Sequence, residues 1–510
     1  MTTETETTTD ERSSERLLLP ASLNGAAPAL ITETGETISY HELDDLLGQA
    51  RRLLDWSEKA LVSVFCDRDL GGIIAYLACL SAGHACAFFG ALPAAAQESL
   101  VATYQPEFII GSPVDDGALR HGYAVAGTLP GGSVVQHRIA GPAGPIAPHL
   151  ALLLTTSGST GSPVLVRLSY RNLAANSSAI VEALGIESSD RAVTSLPLSH
   201  CYGLSVLNTH LTSGAAVVIC AHGVLGRRFW RFAAQHDVTT FAGVPLIYET
   251  LRDRGFSLER VPALNTLQCS GGAIRQQVVR YFAEEAGGRK PRFWVMYGQT
   301  EATARIACLP PEEWAERAGS AGRVVPGGQL RIVADDGSVL PDGSVGMVSY
   351  SGPSVMLGYA RTRSDLNLPD VMGGSLPTED LGYITDGYLY LTGRLKRIVK
   401  VLGLRIELDE IERAFADLGG AVAVAGAGDT VAVLVRKQQR GHEQVRQGLL
   451  RMLRLPPAAL IVSEIGDVPL TRSGKPDYPA LSSLALSVSR SRLPSAAAGP
   501  GKPHHPRGLQ

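Results

Sequence analysis

The sequence lacks several features that would assign it to a specialised class of protein. Its seven cysteines include no CxxC pair, which favours a reduced interior over a disulfide framework. No long basic stripe appears and the formal net charge is −3, so we expect no nucleic-acid partner. Residues 1–16 are acidic and Thr-rich without an apolar core, so we expect no signal peptide. Together these absences predict a cytoplasmic protein.

A long uninterrupted apolar segment is also missing. The most apolar region, residues 71–96, is broken by glycine, serine and histidine. This pattern predicts a buried helix followed by a strand rather than a membrane span, and we expect no membrane association.

Between two low-complexity ends, 1–16 and 483–510, which we predict to be disordered tails, apolar strand-like runs alternate with helical patterns. A helix following the strand 151–154 has Ser169 as its predicted N-cap. Further strands are predicted at 215–220, 239–244, 266–271 and 292–298.

The alternation predicts an α/β fold, with layered sheets and helices in a large, multi-subdomain N-terminal domain at 17–395. The pattern then changes to helices at 409–418 and 443–454 and strands near 421–425, 430–436 and 460–464. We expect these to form a small mobile α+β domain at 396–482.

The loop after strand 151–154 has the composition of a phosphate-binding loop. Gly158 and Gly161 permit positive φ, so that backbone N–H groups can converge on an anion. The loop also supplies five hydroxyl groups, from Thr155, Thr156, Ser157, Ser159 and Thr160. It is not a Walker loop, because no lysine stands in register, and GxGxxG, HExxH and GxSxG are absent as well. On its own such a run is as often a flexible loop as a binding site.

Seven segments that follow one another along the sequence indicate what this loop does. They are TTSGSTGSP (155–163), LPLSHCYGL (196–204), SGGAI (270–274), YGQTEAT (297–303), LPTEDLGYITDGYLYLTGR (376–394), KVLGLRIELDEIE (400–412) and PLTRSGKPD (469–477). This succession resembles the adenylate-forming superfamily, which contains acyl- and aryl-CoA synthetases, adenylation domains of peptide synthetases, and luciferases. The resemblance covers about residues 25–482.

The resemblance implies a reaction with two halves. A carboxylate attacks the α-phosphate of ATP and releases pyrophosphate, and the acyl-adenylate then passes its acyl group to a thiol. The implied cofactors are ATP, Mg²⁺ and coenzyme A. Such chemistry depends on charge neutralisation and in-line positioning.

The resemblance also assigns roles to residues. Glu301 would bind Mg²⁺, Thr300 would hydrogen-bond phosphate, Asp380 would bind the ribose hydroxyls, and Arg394 would support ribose or phosphate. Lys475 would reach the substrate carboxylate and the α-phosphate. The remaining nucleotide contacts would come from the 155–161 loop and from Gly271, Gly272, Ala273, Tyr297 and Gly298.

Three positions depart from the family pattern. Val164 replaces a lysine, Glu379 replaces a glycine and Met347 replaces a glutamate. Without the lysine, Mg²⁺ at Glu301 and the ammonium of Lys475 must supply most of the positive charge. Arg167 could substitute, although an arginine exposed on a strand is the plainer interpretation. These departures suggest a specialised member, as in secondary metabolism.

The family places a hinge at Lys396. Rotation of the small domain about this hinge would move Lys475 out of the active site and bring in the loop around Gly403. Lys400 and Arg405 would then flank the thiol-transfer site. Surface charge is an equally good explanation of both residues.

The resemblance places His200 at the position that gates the carboxylate of the acid. Cys201 stands where amino-acid-activating relatives have an aspartate, so an amino acid is disfavoured as substrate. The pocket would be apolar and suited to a flat aryl or acrylic acid or a medium acyl chain. Its members would be Tyr202, Val206, Gly271, Gly272, Gly298 and Ala302.

The sequence alone leaves open which molecule accepts the acyl group. No carrier segment follows Lys475, so we expect a free-standing enzyme that uses coenzyme A or a separate carrier protein. Alternatives are amide formation, nitrite-dependent diazotisation of an aryl amine, and a degenerate sensor that binds nucleotide or acyl ligand. A homodimer is compatible with the sequence.

Overall fold

A computed structural model describes most of the chain. The described residues are 25–66, 68–111, 121–155, 164–284, 291–401, 404–408, 411–412, 422–427, 430–436, 447, 450, 460–471 and 476–492. The chain divides into two compact units. The first comprises Met1–Leu395 and Leu470–Lys475, and the second Lys396–Pro469 and Pro476–Gln510.

The first unit contains eight described α-helices that separate or flank its strands. They are α1 (Tyr40–Leu53), α2 (Leu70–Ser81), α3 (Ala94–Tyr104), α4 (Tyr170–Leu184), α5 (Cys201–Thr212), α6 (Arg227–Gln235), α7 (Pro245–Asp253) and α8 (Gln276–Glu284).

A nine-stranded sheet is the larger of two extended sheets in this unit. In spatial order its strands are β16 (Arg323–Val324), β15 (Ala307–Leu309), β14 (Arg292–Tyr297), β13 (Thr266–Cys269), β12 (Thr240–Gly243), β10 (Arg191–Val193), β11 (Ala216–Val218), β1 (Pro28–Ile31) and β2 (Thr37–Ser39). The run from β14 to β1 is parallel, and the strands at each edge are antiparallel.

An eight-stranded sheet lies beside it in the same unit. Its order is β19 (Gly358–Ala360), β9 (Leu165–Ser169), β8 (Leu150–Thr155), β4 (Ala85–Phe88), β3 (Leu61–Val64), β5 (Phe108–Gly111), β7 (Val134–Arg138) and β6 (Tyr123–Thr128). Strands β8 and β9 form an antiparallel pair with Thr155 opposite Leu165, so the glycine-rich loop connects two adjacent strands.

One hydrophobic cluster joins the two large sheets. It contains Val62 of the eight-stranded sheet, Val217 of the nine-stranded sheet, and Leu77 and Leu207 of helices α2 and α5. All residues of α2 from Gly71 to Leu80 are buried, because this helix is covered on every side. The helices therefore form a layer between sheets, which is the arrangement predicted from the alternating pattern.

A four-stranded antiparallel sheet completes the first unit. Its order is β17 (Gln329–Val333), β18 (Gly346–Ser351), β20 (Ser375–Thr385) and β21 (Tyr388–Arg394). The pairing of β20 with β21 places Asp380, in the middle of β20, opposite Arg394 at the end of β21.

The second unit has a hairpin, a three-stranded sheet and a helix among its described residues. The elements are β22 (Ile398–Val401), β23 (Leu404–Glu407), β24 (Val422–Ala427), β25 (Thr430–Arg436), β26 (Leu460–Ile465) and α9 (Tyr478–Arg492). Leu481 and Ala485 of α9 pack against Leu434, Ala432 and Ile461 of the sheet.

The α/β prediction is confirmed, and one boundary needs correction. Helix α9 continues to Arg492, whereas the sequence predicted a disordered tail from residue 483. The tail prediction was wrong for 483–492 because Ala485 lies on a buried face of α9 that its Ser-rich surroundings obscure. The predicted helices 409–418 and 443–454 and both outer tails lie largely outside the described residues.

Candidate active site

Several predicted site segments follow the carboxyl ends of parallel strands. Strands β10, β12, β13 and β14 run parallel, so their carboxyl ends share one edge of the sheet. The segments 194–200, 270–273 and 298–301 leave this edge. In open α/β sheets this edge is where ligands bind, so the topology brings three distant segments to one candidate site.

A tight loop after β14 holds Glu301. The N–H of Ile306 donates to the carbonyl of Tyr297 (2.9 Å) and closes the loop at its base. A Cβ on Gly298 would lie only 1.7 Å from the carbonyl oxygen of Ala304, so only glycine fits there. Thr303 and Ala304 have φ of 59° and 133°, a left-handed backbone that both residues adopt at a cost. The packing therefore imposes the loop shape.

The Glu301 carboxylate has a hydrogen-bond donor that the sequence did not reveal. The hydroxyl of Tyr359 donates to Oε1 of Glu301 (3.0 Å), and the N–H of Met356 donates to the Glu301 carbonyl (2.9 Å). Partial burial, followed by the negative charges of Glu301 and Glu379, raises the pKa of Tyr359 well above its usual range. The tyrosine hence remains protonated and keeps its donor role.

Asp380 lies at the centre of a second group of predicted residues. Its Oδ2 accepts from the hydroxyl of Tyr297 (2.5 Å) and its Oδ1 from Nε of Arg394 (2.6 Å). The carboxylate is buried, while 57% of the Arg394 side chain is exposed. Burial and the adjacent Asp380 raise the pKa of Tyr297 well above its usual range. The structure thus brings together three predicted residues from two separate segments, Tyr297 from one and Asp380 and Arg394 from the other.

Glu379 occupies an unusual backbone conformation beside this group. Its φ is 61°, in the left-handed region that favours the glycine expected at this position, and its side chain is exposed. It adds an acidic group near Tyr359, which in turn contacts Glu301.

His200, Cys201 and Thr300 meet at the start of helix α5. His200 is the N-cap residue of α5, and its Nδ1 accepts from the N–H of Tyr202 (3.3 Å). The hydroxyl of Thr300 donates to Sγ of Cys201 (3.4 Å), and both residues are buried. Histidine has a capping role here in addition to the gating role the family resemblance implies.

The predicted acyl-pocket residues are buried next to an arginine. Tyr202, Val206 and Ala302 each have at most 7% of their surface exposed. The guanidinium of Arg305 lies 4.7 Å from the centre of the Tyr202 ring, and Arg305 itself is 1% exposed. The sequence predicted an apolar pocket, and the structure adds a buried cation at its border.

The short segment after β13 also has the predicted open backbone. Gly271 has a φ of 96°, and Gly272 and Ala273 are exposed. These residues follow the carboxyl end of β13, where backbone N–H groups are accessible to a ligand.

Arg167 does not behave as the sequence suggested. It was expected to be exposed on a strand or to replace the missing loop lysine. Instead it is fully buried, and its guanidinium donates to the carbonyls of Leu357, Leu368 and Pro369 at 2.6–3.1 Å. Burial lowers the pKa of Arg167. The side chain thus links the residue before strand β19 to the turn at Leu368 and Pro369. Arg167 is neither exposed on its strand nor a substitute for the loop lysine.

Some predicted residues lie where the structure gives little or no description. Thr155 ends β8 and Val164 is partly exposed, but Thr156–Gly161 lie outside the described residues. Gly403 and Lys475 also lie outside them. Lys400 pairs with Arg405 across the β22–β23 hairpin, and Lys396 stands in the 3₁₀ turn Leu395–Arg397 before it.

Two residues at the site were missed by sequence reasoning, Tyr359 and Arg305. Tyr359 comes 58 residues after Glu301, and only the fold brings β19 to that loop. Arg305 offered a signal, since it is the one charged residue in the apolar stretch 304–309.

The layered α/β fold, with acidic, hydroxyl and glycine residues at the carboxyl edge of parallel strands, defines a nucleotide-binding class of enzyme. The family model described as "AMP-binding enzyme" matches residues 20–360, well over half of the sequence. The chain belongs to this family, which confirms the resemblance seen in the seven segments.

Several known proteins similar to this chain are ligases. An oxalate–CoA ligase of Arabidopsis thaliana is 32% identical over 282 residues, 54% of each chain. A D-alanine–D-alanyl carrier protein ligase of Bacillus anthracis is 30% identical over 288 residues, 53% of this chain and 56% of that protein. The matches thus span about half the length of these relatives.

A solved structure of o-succinylbenzoate coenzyme A synthetase from Bacillus subtilis, in complex with ATP and magnesium ion, has the same fold. The TM-score is 0.71 at 19% identity, over 90% of this chain and 98% of that chain. Among the residues that our structure describes, none of the helices has the length and apolar character needed to cross a membrane.

Proposed function

We propose that this protein activates a carboxylic acid with ATP, forms an acyl-adenylate, releases pyrophosphate, and transfers the acyl group to a thiol, with coenzyme A as the acceptor. The observation that carries the proposal is the convergence of Tyr297 with Asp380 and Arg394, residues from two separate family segments, in one hydrogen-bonded group. Such a group suits the sugar of a nucleotide.

Asp380 would accept hydrogen bonds from the ribose hydroxyls. Its two oxygens already accept from Tyr297 and Arg394, and each carboxylate oxygen has a further lone pair for a hydroxyl donor. The two existing bonds fix the orientation of the carboxylate before the nucleotide arrives. Because the preorganised group needs no rearrangement, it lowers the entropic cost of binding.

The residues present also fit a magnesium ion. The Glu301 carboxylate is only partly buried, and the bond from Tyr359 leaves most of its lone pairs for a ligand. Within the described ranges there is no group of three or more His, Cys, Asp or Glu residues that could hold a metal. A single carboxylate suits Mg²⁺, which is usually held by one or two carboxylates together with substrate phosphates and water. Bound there, the ion would neutralise phosphate charge.

The acid would enter beside Cys201 and Tyr202, with its carboxylate near Thr300 and His200. No acidic side chain stands at position 201 to pair with an α-ammonium, and we infer that amino acids are excluded. Lys475 would stabilise the charge that builds up as the carboxylate approaches the α-phosphate.

The test is acid-dependent exchange of labelled pyrophosphate into ATP, measured over a panel of acids with and without EDTA. We expect exchange that needs both an acid and Mg²⁺, and thioester formation when coenzyme A is added. Lys475→Ala and Glu301→Gln should each slow exchange about a hundredfold or more, because each removes one charge-stabilising group. Glu259→Gln, on the surface of a distant turn, is the control. Exchange without any acid, or full activity of Lys475→Ala, would refute the proposal.

A separate carrier protein is the second candidate acceptor. The relative from Bacillus anthracis is by name a carrier protein ligase, which supports a separate carrier protein as the alternative acceptor. Acid-dependent exchange without a thioester to coenzyme A, followed by acylation of an added carrier protein, would favour this acceptor.

A further inference from the structure

Three arginines are buried in the described part of the chain, and two of them have several good hydrogen-bond acceptors, although the Nε of each has no partner there. Arg363 donates to both oxygens of Glu107 (2.8 and 3.0 Å) and to the carbonyl of Gly144. Arg167 donates to three backbone carbonyls. This is the ordinary way to bury a guanidinium, since a buried charge without partners is costly.

Arg305 is the exception. It is 1% exposed, yet its Nε and Nη1 have no hydrogen-bond partner among the described residues. Its Nη2 makes one long contact, 3.5 Å to Oγ of Ser205, and its guanidinium lies over the ring of Tyr202. A cation–π contact offsets only part of the cost of removing a guanidinium from water. Within the described part of the chain, the charge of Arg305 is therefore poorly compensated.

The position of Arg305 connects this charge with the candidate active site. Arg305 stands at the base of the loop whose tip carries Glu301, and the close approach of Gly298 to Ala304 and Arg305 fixes its backbone. The side chain of Asn176 holds the Arg305 carbonyl (3.0 Å). The guanidinium borders Tyr202, a predicted pocket residue. The backbone of Arg305 is thus fixed by the loop that carries Glu301, and its guanidinium lies against a predicted pocket residue.

A further donor without a partner lies in the same region. Nε1 of Trp294 is buried and unpaired among the described residues, and Trp294 packs in the hydrophobic cluster that contains Tyr202 and Val206. Arginine and tryptophan side chains donate hydrogen bonds and accept none. The uncompensated guanidinium of Arg305 and the free donor of Trp294 would both be satisfied by a ligand group with negative charge and several acceptor oxygens.

We infer that Arg305 binds a second anionic group of the acid substrate, so that this enzyme activates compact acids with two acidic groups, such as dicarboxylic acids. The inference rests on the proposed function and specifies its substrate class. One carboxylate would be activated beside Thr300, and the other would pair with the guanidinium. A purely apolar acyl chain would instead leave the Arg305 charge buried without a counter-ion, which is unfavourable.

The test compares acids that differ only in the second acidic group, namely succinate with butanoate and isophthalate with benzoate. Acid-dependent pyrophosphate exchange and the rise in Tm caused by each acid are measured for the wild type, Arg305→Met and Arg305→Lys. In the wild type we expect kcat/KM for a diacid to exceed that for its monoacid at least tenfold. Arg305→Met should lose about a hundredfold on the diacid and at least tenfold less than that on the monoacid, because only the diacid loses a charge partner.

The same variants also show whether Arg305 recognises the substrate or only stabilises the fold. Arg305→Met should keep or raise the Tm of the free protein, since it removes an uncompensated buried charge. The matched control Arg167→Met should lower it, because three carbonyls lose their donor. Arg305→Lys keeps the charge and should retain part of the preference for diacids, which keeps the test valid if the methionine variant does not fold.

Each outcome decides one of the two proposals. Exchange with monoacids only, or equal losses on both acids in Arg305→Met, would overturn the inference and leave the proposed function intact. Absence of exchange with every acid, combined with a Tm rise by diacids that Arg305→Met abolishes, would support binding of the second acidic group by Arg305 and refute the proposed function. If diacids neither support exchange nor raise the Tm, the inference is wrong.

Discussion

At the scale of single residues, the Glu301 carboxylate depends on a partner from another part of the fold. The hydroxyl of Tyr359 donates to it, and the raised pKa of Tyr359 keeps that proton in place at all physiological pH values. Under the proposed function, Glu301 holds Mg²⁺. Residues that orient a metal ligand strongly influence metal affinity, so Tyr359 would be a positioning residue for the metal.

Removing this hydroxyl should weaken Mg²⁺ binding more than it slows the reaction. In Tyr359→Phe we expect the Mg²⁺ concentration for half-maximal pyrophosphate exchange to rise about tenfold or more, because the carboxylate loses its orienting donor. At saturating Mg²⁺ the rate should recover. Tyr383→Phe is the matched control, since the ring of Tyr383 stacks on Tyr390. Coincident Mg²⁺ titrations of Tyr359→Phe and the wild type would contradict a positioning role.

The candidate site was only partly predictable from the sequence, and the reason is physical. Asp380 and Glu301 stand in recognisable segments, whereas the donor to Glu301 depends on which strand the fold places beside the loop. Arg167 shows the reverse case. Its place on a strand was expected, but its burial depends on three carbonyls contributed by residues 190 or more positions away. Pairings over such separations leave no periodic signal in a single sequence.

At the scale of elements, local sequence signals predicted helices and strands correctly where the tertiary packing favours the same structure. Ser169 was predicted to start a helix, and it caps α4 in a reciprocal arrangement with Asn172. The β22–β23 hairpin after Leu395 was not predicted, because charged and apolar residues mix there without the clean alternation typical of a strand.

Two helices that begin with a serine N-cap allow the contribution of the cap to the free energy of unfolding to be compared directly. Ser169 caps α4 from a buried position, whereas Ser39 caps α1 in an exposed capping box with Glu42. We expect Ser169→Ala to lower the free energy of unfolding by about 1–2 kcal/mol, because the buried N–H of Asn172 loses its acceptor.

Ser39→Ala should cost less than about 1 kcal/mol, because water can replace the serine oxygen at an exposed helix start. Urea unfolding followed by tryptophan fluorescence measures both variants. All four tryptophans, at positions 56, 230, 294 and 314, lie in the first unit, so the signal reports on the unit that contains both caps. Equal losses in the two variants would show that burial of the cap makes no difference.

At the scale of the whole molecule, two buried histidines couple the stability of the first unit to pH. Nδ1 of His84 accepts from the N–H of Ala60 (3.2 Å), so Nε2 carries the proton and donates to the carbonyl of Leu54 (2.9 Å). His210 lies 2.8 Å through Nδ1 from the carbonyl of Val206, and so donates from Nδ1. In both cases burial is the main cause of a lowered pKa. Each ring is therefore neutral in the folded state.

This charge state predicts how stability changes with pH. Below about pH 6.5 each histidine binds a proton in the unfolded chain and not in the folded one, so the free energy of unfolding falls as the pH falls. Each ring contributes a slope of up to about 1.4 kcal/mol per pH unit until the pH reaches its folded-state pKa. We expect the double variant His84→Gln/His210→Gln to flatten the profile between pH 7.5 and 5, measured by urea unfolding with tryptophan fluorescence. His121→Gln, at an exposed position, should leave the slope unchanged. If the double variant keeps the wild-type slope, carboxylates rather than these imidazoles determine the acid limit of the fold.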